Sequence, residues 1–263
     1  MTSTRTDHQL LPRLDVASTP RIRFSRLVSV ELRKAVDTRA GRWLVAAILA
    51  ITAASMLLFY AIGDDADRTF PDFIGFAAQP QMFLLPVLGI LLITSEWSQR
   101  TALVTFTLAP SRSTVIGAKV VAAMLLALLA FAGALLLAGL ATLVAGRDDG
   151  FDGVSVAVLL LFLAVQLLGV LQGVAFGLLW LSTPAAIVTF FVLPTASTLV
   201  FTTVPALGDL APWLDLQTAQ SPLVNGDFTL TWEQLARIGV TALVWVVLPF
   251  VAGWLRVMRA EIK

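Results

Sequence analysis

Apolar residues gather along this chain in six long runs separated by polar loops. The first, Trp43–Ile62, is long enough at ~1.5 Å per residue to cross the ~30 Å hydrocarbon core of a bilayer. The others cover residues 80–94, 115–145, 154–181, 185–204 and 235–255. Each predicts a membrane-crossing helix. The second is short, but Phe73–Ala78 can extend it outward and Pro86 can bend it. The third is longer than a bilayer requires, so Lys119 is expected to mark a protrusion beyond the membrane. The fifth carries Pro194 among hydroxyls such as Thr195 and Thr198, which can satisfy the backbone groups a proline frees.

Outside these runs the pattern changes. Residues 1–20 are polar and irregular, with Pro12 and Pro20, and predict a disordered tail. Within segment 21–42, Phe24, Leu27, Val28, Leu32, Ala35 and Val36 recur at helical spacing, with Arg26, Arg33, Lys34 and Asp37 mostly off that stripe. This pattern predicts an interfacial amphipathic helix; a plain extension of the first span is the alternative. Leu103–Leu108 is apolar although it lies between polar flanks. It predicts a short amphipathic helix that needs a surface to bury against, ended by Pro110, with Ser111 or Ser113 capping the next helix. Ser182-Thr183-Pro184 predicts a tight turn with a cap and a proline at the first helical position. Segment 205–234 is expected to hold short helices on or dipping into the membrane surface, with Trp213 and Trp232 as anchors.

The fold class is therefore an all-α polytopic membrane protein with six transmembrane helices. Composition agrees: 58% of residues are hydrophobic and only 13% charged, against about 25% charged in soluble domains. The charges are sorted by segment. Of 18 Lys and Arg residues, only Arg68, Arg147 and Arg237, the last at the start of the sixth run, fall on the side whose loops carry most of the acids, such as Asp64, Asp65, Asp67, Asp148, Asp149 and Asp152. The remainder fall in residues 1–42, 95–119 and the tail 256–263. The positive-inside rule places those segments, and both termini, in the cytoplasm.

Chemistry of its own is hard to find in the chain. There is no cysteine, and the lone histidine, His8, cannot build a zinc site by itself. No charged residue falls in the central part of any run, which argues against ion-coupled transport and against an intramembrane enzyme. The acid clusters lack the glycine and distal Glu of a calcium loop and read as solvated charge. Gly117-Ala118-Lys119 is not a P-loop. No cofactor, metal or nucleic-acid partner is expected. Gly169, Gly173 and Gly177 form a small-residue ridge that lets helices approach closely, either within one chain or at a dimer face. Gln166 and Gln172 in the same run can line a polar path or bond a neighbouring helix.

The segment 95–119 stands apart because Arg100, Arg112 and Lys119 outweigh Glu96. Glu31-Leu32-Arg33-Lys34 and Asp37-Thr38-Arg39 precede the first span. Thr94-Ser95-Glu96-Trp97, Arg100-Thr101, Leu108-Ala109-Pro110-Ser111-Arg112 and Ala118-Lys119 follow the second. In that order and spacing they resemble the permease subunits of bacterial ABC-2 type transporters, particularly actinobacterial ones. The resemblance implies a dimer of six-span subunits in the bacterial plasma membrane, either two copies or a copy and a paralogue. It also implies a separate cytoplasmic ABC ATPase subunit, docked near Glu96, Arg100, Thr101, Pro110 and Arg112. Export of a hydrophobic or amphipathic substrate would follow. One departure is the short turn at 181–184, which offers little to a second ATPase contact. A non-transporting membrane scaffold or immunity protein is the competing reading.

Overall fold

The computed structural model describes residues 22–99, 101–108, 111–152, 154–224 and 231–259. The expected tail 1–20, Arg100 and Pro110 lie outside them. All regular elements among the described residues are helices. In chain order, α1 covers Phe24–Asp37, α2 Arg39–Ile62, α3 Phe70–Ser98, α4 Ala102–Leu108, α5 Arg112–Ala145 and α6 Val156–Trp180. They are followed by α7 (Thr183–Thr203), α8 (Ala211–Leu214), α9 (Leu216–Val224), α10 (Trp232–Ala242) and α11 (Leu248–Arg259). A π-helical turn, Leu243–Val247, joins α10 to α11. Among the described residues, six helices are long and apolar enough to cross a membrane: α2, α3, α5, α6, α7 and the continuous rod Trp232–Arg259.

Most spans run further than their apolar runs suggest. The second begins at Phe70, ten residues before the run at 80–94, because Pro71 sits in the first turn, where a missing N–H costs nothing. Pro80 and Pro86 then lie inside the helix instead of bounding it. The last span continues to Arg259, so much of the expected tail 256–263 is helical. Between α1 and α2 the chain turns at Thr38, whose hydroxyl accepts the Gly41 N–H at 3.1 Å. A Cβ on Gly41 would stand 1.8 Å from the Ala35 carbonyl oxygen, so only glycine lets the helices meet this closely.

The bundle packs around α3, the most buried of the six spans, while α7 is the least buried. The α3–α6 contact rests on glycine. A Cβ on Gly173 would come within 2.3 Å of the Pro86 carbonyl oxygen, and one on Gly177 within 3.1 Å of Ile93. Gly169 is looser, at 3.5 Å from the Pro86 ring. The small-residue ridge of α6 thus faces α3 of the same chain. The two largest apolar clusters fill much of the interior. One joins Leu85, Leu88, Leu92, Val170, Val174 and Leu178. The other joins Phe59, Phe70, Phe73, Phe131, Ala134 and Ala138 toward the acidic loops.

Residues 205–224 fold back on the bundle. A 3-10 turn at Pro205–Leu210 leads into α8 and α9, and α9 packs on α6, α7 and α10. Asp215 is fully buried at the start of α9. Its carboxylate accepts the Thr218 N–H at 2.9 Å and hydroxyl at 2.7 Å, and the Thr198 hydroxyl of α7 at 2.7 Å. From the π turn, Trp245 donates its indole N–H to the Leu214 carbonyl at 2.8 Å. Such turns offset the side chains of a helix and often mark special sites.

Two expected caps are made differently. Ser111 precedes α5 without a side-chain cap bond, and its hydroxyl meets those of Thr114 and Ser113 at 2.7 and 3.2 Å. Ser182 precedes α7, also without a cap bond. The Thr183 hydroxyl instead crosses to Thr94 at 2.7 Å and Ser98 at 3.2 Å, tying α7 to α3.

Candidate functional site

Charge is concentrated where α1, α3, α4 and α5 meet, at the end of the bundle away from the acidic loops. Glu31 lies on the face of α1 that also buries Val28 and Ala35. Spacings of three and four residues put all three on one side of a helix. Glu96 lies in the last turns of α3, and Lys119 on the buried face of α5 beside Ala118 and Ala122. The three are 4%, 5% and 4% exposed.

Their side chains form one network. The Lys119 ammonium donates to Glu31 Oε2 at 2.7 Å and to the Leu92 carbonyl at 3.0 Å, and stands 3.3 Å from Glu96 Oε1. Lys34 bridges the two acids from the other side, at 2.8 Å from Glu31 Oε1 and 2.7 Å from Glu96 Oε1. The Thr105 hydroxyl of α4 adds a hydrogen bond to Glu96 Oε1 at 3.1 Å. Two carboxylates are thus matched by two ammonium groups, the condition for burying charge at tolerable cost. Burial pulls the Lys34 pKa down, but the hydrogen bonds and charges of Glu31 and Glu96 outweigh it and hold it above the ordinary lysine value. Lys34 therefore keeps its charge across the neutral range.

Lys119, expected to mark where the long third run extends beyond the membrane, turns its ammonium into the bundle, where two acids and a backbone carbonyl surround it. A long apolar run around a lysine gives no hint that carboxylates from two other helices meet it. Glu31, Lys34 and Thr105 were not singled out as site residues at all. The signal for Glu31 was present in the 28–31–35 spacing, which places it among the apolar residues that α1 buries.

The residues named from sequence fall into three positions. Glu96 is in the network, and its backbone carbonyl accepts the Thr101 N–H at 2.9 Å, which sets the exit from α3. Thr101 itself is exposed. Arg112, half-buried at the start of α5, donates to the carbonyls of Val257 at 2.8 Å and Met258 at 3.2 Å. A cation there meets the negative end of α11. Arg256 does the same for α6 through the Leu179 carbonyl. Between Thr101 and Ser111, α4 leaves Leu103 and Val104 50% and 58% exposed. A recess of about 550 Å³ opens beside Lys34, bordered by Thr38, Arg39, Ser95 and Thr183.

This arrangement sets buried charge from α1, α3 and α5 against the Thr105 hydroxyl of α4. It can join α4 mechanically to three other helices through groups that tolerate little slippage. Compared with family models and with curated proteins, the chain matches none.

Proposed function

We propose that the chain is the membrane-spanning subunit of an ABC-2 type transporter, lying in a bacterial plasma membrane with its basic end in the cytoplasm. A separate ATPase docks on α4 and the neighbouring 96–112 segment. In this reading α1 lies at the cytoplasmic interface, its exposed bases toward anionic lipid. The observation that carries the reading is α4. It is a short helix with two uncovered apolar side chains on a basic loop, tied by Thr105 to a buried network spanning α1, α3 and α5. Force applied to such a helix reaches the spans directly, because packed interiors switch between arrangements rather than deform. The resemblance of residues 31–39 and 93–119 supports the same assignment, as does the sorting of Lys and Arg.

Two experiments test it. Purification in mild detergent is expected to bring down a P-loop ATPase in stoichiometric amount, and Leu103→Asp with Val104→Asp is expected to release it. Reconstituted vesicles holding both proteins are expected to move an amphiphile only with ATP. A chain that purifies alone, while a control transporter stays intact, would replace this reading with a scaffold or immunity role.

A further inference from the structure

A cavity of about 380 Å³ lies between α3, α6, α7 and α9, away from the charge network. Its floor is buried: Gln166, Gln172 and Phe190 stand there with Pro194. Its rim is open, with Gln79, Phe83, Phe191 and Thr195 exposed. That volume falls at the lower end of the roughly 300–1,000 Å³ usual for small-molecule pockets.

The polar groups of the lining are all uncharged. Gln79, Gln166, Gln172, Gln217 and Gln220 supply amides, and Thr195 and Ser221 hydroxyls. Among the described residues, no Asp, Glu, Lys or Arg lines it. An ion entering such a wall would lose its water without gaining a counter-charge. A neutral headgroup would exchange water for amides. The apolar part is aromatic: Phe83 and Phe191 are stacked at 6.3 Å, and Phe190 meets Phe191 edge-on at 5.0 Å.

One floor amide is satisfied and one is not. Gln166 donates to the Ala127 carbonyl of α5 at 2.9 Å. Gln172 is 3% exposed, and its Nε2 has no hydrogen-bond partner. Buried donors are almost always paired. A donor left unpaired on a residue that lines a cavity is one that an acceptor brought from outside can satisfy. Pro194 adds to this, because it has no N–H to give the Phe190 carbonyl four residues back. The unpaired donor on α6 and the acceptor freed on α7 thus both belong to residues that line the cavity.

We propose that this cavity binds the headgroup of an uncharged, lipid-like amphiphile, with Gln172 donating to a headgroup oxygen and the Phe83–Phe191 rim holding the start of the apolar chain. The site depends on the cavity alone and would stand even if the chain transports nothing.

The test is retention of a neutral glycolipid. Protein would be placed in nanodiscs of phosphatidylglycerol containing monogalactosyl diacylglycerol, and the lipids that stay bound on release would be counted by native mass spectrometry. Selective retention of the galactolipid is expected. Gln172→Leu should reduce it about fivefold, the worth of one neutral hydrogen bond. Thr195→Trp, at an exposed rim position, should abolish it by filling the mouth while leaving the floor intact. Retention no better than phosphatidylglycerol, or retention indifferent to both variants, would overturn the proposal. Loss of ATPase binding or of transport would leave this result untouched.

Discussion

The two ends of the bundle hold the same kinds of ion pair in opposite surroundings. At the basic end, Lys119 and Glu31 stand 2.7 Å apart with both side chains 5% exposed. At the acidic end, Arg147 and Asp149 stand 2.6 Å apart, with 29% and 54% of the side chains exposed. Arg68–Asp65 and Arg237–Glu233 resemble the second case. Distance does not separate the ends; burial does. A broken buried pair strands a charge, whereas a broken exposed pair returns its partner to water. The ion pairs of the basic end therefore hold helices together, and those of the acidic end face solvent.

The sharpest way to break this contrast is Lys119→Met. It leaves Glu31 and Glu96 sharing Lys34 alone, and should destabilise the chain by about 3–5 kcal/mol. The expected readout is loss of the monodisperse peak on size-exclusion chromatography after mild heating in detergent. Combining it with Glu31→Gln should restore most of that stability, since Glu96 then keeps Lys34 as its partner and no charge is left unmatched. A single variant as stable as the parent would show that the network is ornamental.

Next in size is the glycine contact between α3 and α6. Gly173→Ala places a methyl 2.3 Å from the Pro86 carbonyl oxygen, so the helices must part. About 1–3 kcal/mol of overpacking cost is expected. Gly169→Ala puts its methyl at an ordinary 3.5 Å from the Pro86 ring and should be close to neutral. Thermal melts of the two variants side by side test this directly. Equal melting points would mean that the ridge does not pack on α3.

The spans and α4 were legible in the sequence because hydropathy and helical spacing are local signals. Leu103–Leu108 stood out as apolar residues between polar flanks, and a helix occupies that stretch. Helix ends were less legible: Pro80 looked like a boundary, yet the helix carries it inside. The network was not legible, because it joins Lys34 to Glu96 across 62 positions and Lys119 to Glu31 across 88. Nothing in a single sequence pairs such residues. The π turn at Leu243–Val247 and the cavity under Gln172 are likewise products of packing. Gln172 could be marked as an intramembrane polar residue, but its lack of a partner is visible only in three dimensions.

Arg112→Ala tests a smaller contact at the basic end. Its bonds to the Val257 and Met258 carbonyls hold the end of α11 against α5. Bonds to a charged donor are worth about 1.5–3 kcal/mol when buried, and a half-buried guanidinium should fall at or below the lower figure. Hydrogen exchange at residues 255–259 should quicken before the global melt moves. The same variant separates stability from docking. If ATPase binding survives while α11 frays, Arg112 serves the fold and Leu103 and Val104 carry the contact.

The least effect is expected from Arg147→Ala. The Arg147 hydrogen bond holds the Asp149 carboxyl below its ordinary value of 3.8, overcoming the upward push of desolvation with help from the Arg147 charge. A lowered folded pKa stabilises above the ordinary value and loses that contribution as pH falls through the folded value. Any contribution is thus complete at neutral pH and disappears only in acid below about pH 4. Both groups face solvent, so melting points of parent and variant at pH 7 should agree within scatter and should not diverge in acid. What should change is local. Arg147 also reaches the Asp65 carbonyl at 2.6 Å, joining the loop after α2 to the loop after α5. Amides of residues 64–68 should therefore exchange faster in the variant. A fall in melting point as large as that of Lys119→Met would erase the distinction between the two ends.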